Sequence, residues 1–264
     1  MCGLAIALVF VGGSLLAPIV APYPPAKANY QERLLPPSPA HLMGTDAHGR
    51  DTLSRLLYGG RVSLKVGFWA VVLSTLVGLP LGLMAGFFGG HFDTIIGRIT
   101  DALFAFPSIL WAIAIVAILG PSERGAILAI AVSRIALTIR ISRGAVLSER
   151  GKQYVEASRA LGSSWPFVVF RGVLPNCAGT ILVLLSLGLA VSVLAEAGLS
   201  FLGMSAQPPT PSWGSMLQES QRYLYESPWF AFFPGMTVFL VVLGLNLLGD
   251  GIRDLLDPRR EWAG

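Results

Sequence analysis

The chain alternates long apolar runs with shorter polar connections. Apolar runs cover residues 2–20, 63–88, 99–119, 125–141, 177–199 and 230–248. Each is close to the roughly 20 residues that an α-helix needs to cross a hydrocarbon core about 30 Å thick. Continuous apolarity at this length predicts bilayer helices. Transmembrane strands would alternate with a period of two, and these runs do not. The expectation is an all-α membrane protein with six transmembrane helices.

Composition agrees with that pattern. Of 264 residues, 53% are hydrophobic and 13% charged, and mean hydropathy is +0.65. Soluble domains carry about 25% charged residues. The polar surface here is too small to cover a globule, so the core is expected to form by helix packing in lipid. The net charge of +4 is read as a topology signal. There is no Lys/Arg run with interleaved aromatics, which argues against nucleic acid as a partner. Cys2 and Cys177 lie in or at the edge of apolar runs, and their spacing makes neither a disulfide framework nor a metal site.

Orientation follows from the basic residues of short loops. Arg143, Arg150, Lys152, Arg159 and Arg171 lie between the fourth and fifth runs, and Arg253, Arg259 and Arg260 follow the sixth. Both groups are predicted cytoplasmic, and an even number of spans places the N-terminus on the cytoplasmic side of the cell membrane as well. Arg222 beside Glu219 and Glu226 fits the outside. Lys27, Arg33, Arg50 and Arg55 run against the rule, because the span count places them outside. The first run lacks the basic leader of a cleaved signal peptide and is read as a retained anchor. Prolines after it predict an extended segment. Residues 51–58 predict a short amphipathic helix on the outer membrane surface, capped by Asp51 and ended by Gly59-Gly60, with Leu53, Leu56 and Leu57 on one face.

One hydrophilic island interrupts the apolar pattern, at about residues 150–175. Tyr154, Ala157, Ser158, Leu161 and Trp165 fall on one helical face, and Gln153, Glu156 and Arg159 on the other. Gly162 suits the left-handed residue that closes a helix, Ser163 or Ser164 can cap the next, and Pro166 fits its first turn. Pro175 is expected to break the chain and Asn176 to cap the fifth span. This predicts two short helices with a bend at Gly162. Two readings remain open at this point: a docking element for a soluble partner, or an amphipathic loop on the bilayer surface.

Polar groups also occur within or at the ends of spans: Arg98, Asp101, Arg134, Glu196, Asn246 and Asp250. Charges in lipid are costly and often functional, which suggests a pathway or gate. The other reading is interhelical hydrogen bonding and snorkelling. Arg134 and Glu196 are candidates to pair. Pro80 and Pro107 predict kinks, and Gly78, Gly82, Gly86 and Gly89-Gly90 give the second span a small-residue stripe.

The island resembles the EAA signature of membrane subunits of ABC-type importers. That pattern is Glu-Ala-Ala, three residues, Gly, nine residues, Ile, one residue, Leu-Pro. Glu156, Ala157, Gly162, Leu174 and Pro175 fall in register, while Ser158 and Gly172 depart from it. The stretch from Gly44 to Leu64 resembles the segment before the second span in C-type permease subunits of dipeptide, oligopeptide and nickel importers. Phe106-Pro107-Ser108, Leu199 to Gly203, Gln207 to Gly214, Asn246 to Asp254 and Asp257-Pro258-Arg259 resemble later segments of the same subfamily. The likeness covers nearly all of the chain from residue 40 onward. Ser205 stands where those subunits usually carry glycine, so a different local turn is expected there.

The resemblance implies a type I ABC importer permease fold. Residues 1–60 would form an anchor and extracytoplasmic segment, and residues 61–264 the transmembrane domain with the EAA loop. It further implies a second homologous permease subunit, one or two cytoplasmic ATPase subunits and an extracytoplasmic substrate-binding protein. Tyr154, Glu156, Ala157, Arg159, Leu161, Gly162, Leu174 and Pro175 would be the ATPase-coupling residues. Asp101, Arg134, Glu196, Asn246 and Asp250 are the pathway or gate candidates. The chain contains no Gly-x-x-x-x-Gly-Lys-Ser/Thr, so it is read as having no cofactor or catalytic residue of its own, with ATP and Mg on the partner ATPases. The implied cargo is a di- or short oligopeptide, with nickel, glutathione or haem as alternatives. A secondary transporter would be expected to show an inverted repeat, which is not evident here. A membrane enzyme would need a catalytic constellation, which His41, His48 and His91 do not form by spacing.

Overall fold

The computed structural model describes residues 2–256, whose regular structure is helical, with long connections at residues 21–51 and 202–212. In chain order the helices are α1 (Cys2–Leu15), α2 (Ala17–Val20), α3 (Thr52–Phe88), α4 (Gly90–Phe104), α5 (Ser108–Leu119), α6 (Glu123–Arg150) and α7 (Gln153–Ala160). They continue with α8 (Trp165–Phe167), α9 (Leu174–Phe201), α10 (Trp213–Ser220) and α11 (Pro228–Leu256). Among the described residues four helices are long and apolar enough to cross a membrane, or five if α4 and α5 count as one broken span. The first predicted span is α1 plus α2, interrupted at Leu16. The tail cations Arg259 and Arg260 and the Asp257-Pro258-Arg259 likeness lie outside the described residues.

Among the described residues the bundle has three larger apolar centres and a small fourth one at Ala85, Ile96 and Ile139. At one end, Val62, Val66 and Ala70 of α3 pack with Ala112 and Val116 of α5 and Ala126, Ala129 and Ile130 of α6. Beside them, Trp213 and Met216 of α10 join α3, α9 and α11. At the other end, Leu83, Phe87 and Val146 close over Val155 of α7 and Val168, Val169 and Val173. The α3–α6 seam is built on Gly78, Gly82 and Gly86 of the predicted stripe, whereas Gly89 ends α3 with φ +68° and Gly90 opens α4, outside the seam. A Cβ at Gly82 would lie 2.7 Å from the Ile139 carbonyl, and one at Gly86 would lie 2.9 Å from the Arg143 carbonyl. Backbones approach this closely only where side chains are absent.

Local expectations change in three regions. Residues 51–58 are not a separate surface helix, because α3 runs unbroken from Thr52 to Phe88. Asp51 does cap it, accepting from Ser54 N at 2.7 Å. Gly59 and Gly60 do not end it. They admit a neighbour, since a Cβ at Gly59 would sit 3.2 Å from Ser212 Cα and one at Gly60 2.7 Å from Trp213 Cζ2. The helix also continues through Pro80. At Pro107 the effect is larger than a kink: α4 and α5 meet at 85°.

The third change is at Pro175. It does not break the chain, because Trp165–Phe201 forms one continuous rod of 37 residues. A π-helical turn over Val168–Val173 precedes the proline, with Leu174 N donating to Val169 O. Proline lacks an N–H and its ring crowds the carbonyl four residues back, and the wider turn relieves that crowding. Asn176 does not cap a helix N-terminus. Its Nδ2 donates back to the Gly172 carbonyl at 2.7 Å.

Candidate functional site

The island forms a projecting elbow at one end of the bundle. Only Val155 of α7 is buried, at 0% exposure, and it anchors the helix on Phe87 and Val169. The predicted stripe of Tyr154, Ala157, Ser158, Leu161 and Trp165 does not face inward. Ala157 is exposed, and Leu161 at the tip is 87% exposed. The side that turns inward is set by what lies beneath α7, which helical periodicity alone does not contain. Glu156 and Arg159 are also exposed, with the Arg159 guanidinium 5.5 Å from the centre of the Phe87 ring.

Gly162 takes the expected left-handed conformation, with φ +80°. Leu161 N donates to Ala157 O, Gly162 N to Arg159 O and Ser163 N to Ser158 O, which satisfies the last carbonyls of α7. No atom lies within 4 Å of a Cβ at this position, so the backbone angle alone calls for glycine. The chain then turns into α8, where Trp165 packs edge-on against Phe88 at 5.3 Å.

Four polar residues bolt the elbow to the bundle. Tyr154 Oη donates to Glu149 Oε2 at 3.0 Å, and Lys152 Nζ lies 2.5 Å from Glu149 Oε1. Asn176 Nδ2 reaches Tyr154 Oη at 3.4 Å as well as the Gly172 carbonyl. The end of α6, α7 and the start of α9 are thus joined through one phenol. Burial, followed by the Glu149 carboxylate, pushes the Tyr154 hydroxyl up to about 12. Glu149, Lys152 and Asn176 were not anticipated as members of this cluster. The Glu149–Lys152 spacing of a helical salt bridge is the one sequence signal that pointed to it. Leu174 is half-buried and Pro175 exposed, both where α9 leaves the π-turn.

The structure does not gather the polar span residues into one site. Asp101 is exposed and pairs with Arg140 at 3.2 Å. Arg98 is exposed near the same end, Asn246 is half-buried on α11, and Asp250 is exposed at its end. Glu196 is fully buried and accepts from Ser205 Oγ at 3.0 Å. Serine at this position therefore has a partner that glycine would lack. Arg134 and Glu196 do not pair. The Arg134 guanidinium lies against Gly188, about two helical turns, or roughly 12 Å, from Glu196 along α9. Arg134 instead lines a groove of about 750 Å³ between α6, α9 and α11.

At the opposite end a buried ion cluster joins the segment before α3 to α10. Arg50 Nε lies 2.5 Å from Asp46 Oδ2 and its Nη2 2.8 Å from Glu219 Oε2. Arg55, 1% exposed, reaches Asp46 at 3.2 Å and Glu219 at 3.3 Å. Asp46, His48 and Glu219 converge as metal ligands would. Arg50 already contacts all three, with its Nη2 3.1 Å from His48 Nδ1, so a guanidinium supplies the positive charge between them.

Residues 78–262 match the family described as binding-protein-dependent transport system inner membrane component. The chain is 44% identical over 259 residues to a dipeptide transport system permease protein of Alkalihalophilus pseudofirmus, covering 98% of this chain and 85% of that one. It is 45% identical over 263 residues to the dipeptide permease protein DppC of Escherichia coli K12, covering 97% and 88%. It is also 44% identical over 223 residues to a glutathione transport system permease protein of Pectobacterium atrosepticum, covering 84% and 74%. Among solved structures, an inward-facing form of the MetNI methionine ABC transporter superposes with a TM-score of 0.65 at 18% identity, covering 77% of this chain and 96% of that one.

Proposed function

This chain belongs to the inner membrane components of binding-protein-dependent transport systems, and we infer that it is a permease subunit of an ATP-binding-cassette importer for di- or short oligopeptides. The relatives named for dipeptide transport match it from end to end at more than 40% identity, which favours peptides over nickel or haem. Glutathione, itself a modified tripeptide, is the second reading, favoured by the match to a glutathione permease.

The observation that carries the coupling role is the elbow. Its tip is exposed and apolar, its charged side faces outward, and its base is tied to both α6 and α9. Such an element moves only if two long helices move with it. In this reading a cytoplasmic ATPase grips Glu156, Ala157, Arg159, Leu161 and Gly162, while Tyr154, Leu174 and Pro175 pass the displacement to α9. ATP and Mg bind the ATPases, and this chain conducts and couples without catalysing. A second permease subunit completes the path, and an extracytoplasmic binding protein delivers the cargo. The basic elbow lies on the cytoplasmic side, with both termini.

The test is uptake of a labelled dipeptide in cells with and without the gene, with tripeptides, pentapeptides and nickel as competitors. Loss of uptake on deletion, with competition by short peptides only, is the expected result. Unchanged dipeptide uptake would sink the dipeptide reading and move the cargo to longer peptides, metal or another solute. Normal uptake by Glu156→Lys would sink the coupling role.

A further inference from the structure

Arg134 stands near the middle of α6, 8% exposed, in an apolar stretch between Arg124 and Arg140. Its guanidinium has no hydrogen bond or ion pair among the described residues, and its Nε is buried without a partner. A bare charge at this depth is costly and is retained where it meets an opposite charge at some stage of function. The surrounding backbone makes room for it. A Cβ on Gly188 would lie 3.3 Å from Arg134 Cζ, with Val71 just beyond.

The groove that Arg134 lines runs from this midpoint to the elbow end, where Asn176 and Arg253 flank it. Its lining is mainly aliphatic, through Leu137, Leu187 and Val191. The charged residues of the lining are Arg134 and Arg253, both cationic. At about 750 Å³ it falls in the roughly 300–1,000 Å³ range of small-ligand sites, which combine apolar walls with a few placed polar groups. A guanidinium presents a planar fork that matches a carboxylate with two parallel hydrogen bonds.

We propose that this groove is a station on the transport path and that Arg134 receives the C-terminal carboxylate of the peptide in transit. The proposal rests on the peptide-import reading and deepens it. A carboxylate is the anion that every unmodified peptide carries whatever its side chains, so one arginine serves cargo of varied sequence. Arg253 at the mouth offers the same anion a second contact on the way out.

The test uses the complete transporter in liposomes: this chain, its partner permease, the ATPases and the binding protein. Uptake of labelled Ala-Ala is measured with saturating loaded binding protein. Arg134→Gln should lower it by roughly ten-fold, and Arg134→Lys should recover part of the loss, since lysine keeps the charge without the fork. Both permease subunits should copurify in the wild-type ratio. A dipeptide with photo-leucine at its C-terminus should label α6 or α9 beside Arg134, and Arg134→Gln should abolish that label. Loss of copurification in Arg134→Gln would assign the guanidinium to a carboxylate of the partner subunit and overturn the proposal. Undiminished uptake, or labelling confined to other helices, would overturn it while leaving peptide import intact. A wild-type complex that takes up no peptide would remove the underlying reading, and is a separate failure.

Discussion

Trp213 Nε1 donates to the carbonyl of Leu56 at 3.0 Å, across 157 positions of sequence. Its backbone N–H meets Ser63 Oγ at 3.3 Å, and its ring lies over Gly60. Indole, hydroxyl and glycine together seat α10 against α3. The residue is 1% exposed and is the largest fully buried side chain described. Trp213→Ala should cost about 3–5 kcal/mol, as truncation of a buried aromatic does. The check is the midpoint of SDS unfolding of the purified chain in mixed micelles. Trp213→Phe should lose less, because most of the buried area remains.

Glu219 holds Arg50 and Arg55 together at the same end. Glu219→Ala leaves two guanidiniums sharing the single carboxylate of Asp46. Breaking a buried ion pair from one side costs about 3–5 kcal/mol, and partial exposure of Glu219 places the expectation near the lower value. Limited proteolysis should then cut the segment between residues 21 and 51 faster than in wild type. An unchanged rate would show that α10 is held by Trp213 without help from the ion cluster.

The α3–α6 seam leaves no room at Gly82. Gly82→Val would drive a branched side chain into Ser142 and the Ile139 carbonyl. Overpacking of this kind costs about 1–3 kcal/mol, and more where backbone is the obstacle. Membrane yield should fall several-fold, measured by fluorescence of a C-terminal fusion. Gly144, which has open space around its Cβ position, should tolerate alanine without loss.

Gly162 has space but an unusual backbone angle. Gly162→Ala should therefore insert normally and cost about 1–2 kcal/mol locally, from the left-handed conformation alone. Peptide uptake should fall while membrane abundance holds. Equal uptake would separate the turn from coupling.

Tyr154 yields a pH prediction. Its folded pKa of about 12 is above the ordinary 10, so the protonated phenol is the form that the fold favours. The contribution is complete below pH 10 and is lost as pH rises through about 12. A difference titration at 295 nm, wild type minus Tyr154→Phe, should show a tyrosinate midpoint near 12. A midpoint near 10 would mean that neither the burial of the phenol nor its Glu149 bond persists in solution.

What was legible in the sequence was whatever depended on neighbours close in the chain. Asp51 as a cap, Gly162 as a left-handed terminus and the glycine stripe of α3 all follow local rules, and all are present. A Gly-Gly pair reads the same whether it ends a helix or receives a distant tryptophan, and only the position of Trp213 distinguishes the two at residues 59–60. Pro175 follows the rule for a helix breaker, but a π-turn six residues long absorbs it. The buried side of α7 is decided by Phe87, Val146 and Val169, none of which belongs to that helix. The Arg134–Glu196 pairing failed for a related reason. Two charges in neighbouring spans pair only if their depths coincide, and depth depends on where each helix begins.

The rod from Trp165 to Phe201 has a mechanical consequence. Thirty-seven residues at 1.5 Å each make a strut about 55 Å long, longer than the hydrocarbon core is thick. A tilt of about 10° around its midpoint would swing each tip by about 5 Å, in opposite directions. One tip carries the elbow, and the other carries Glu196 with its Ser205 bond. In the coupling reading, the helix would act as a first-class lever with its fulcrum in the lipid.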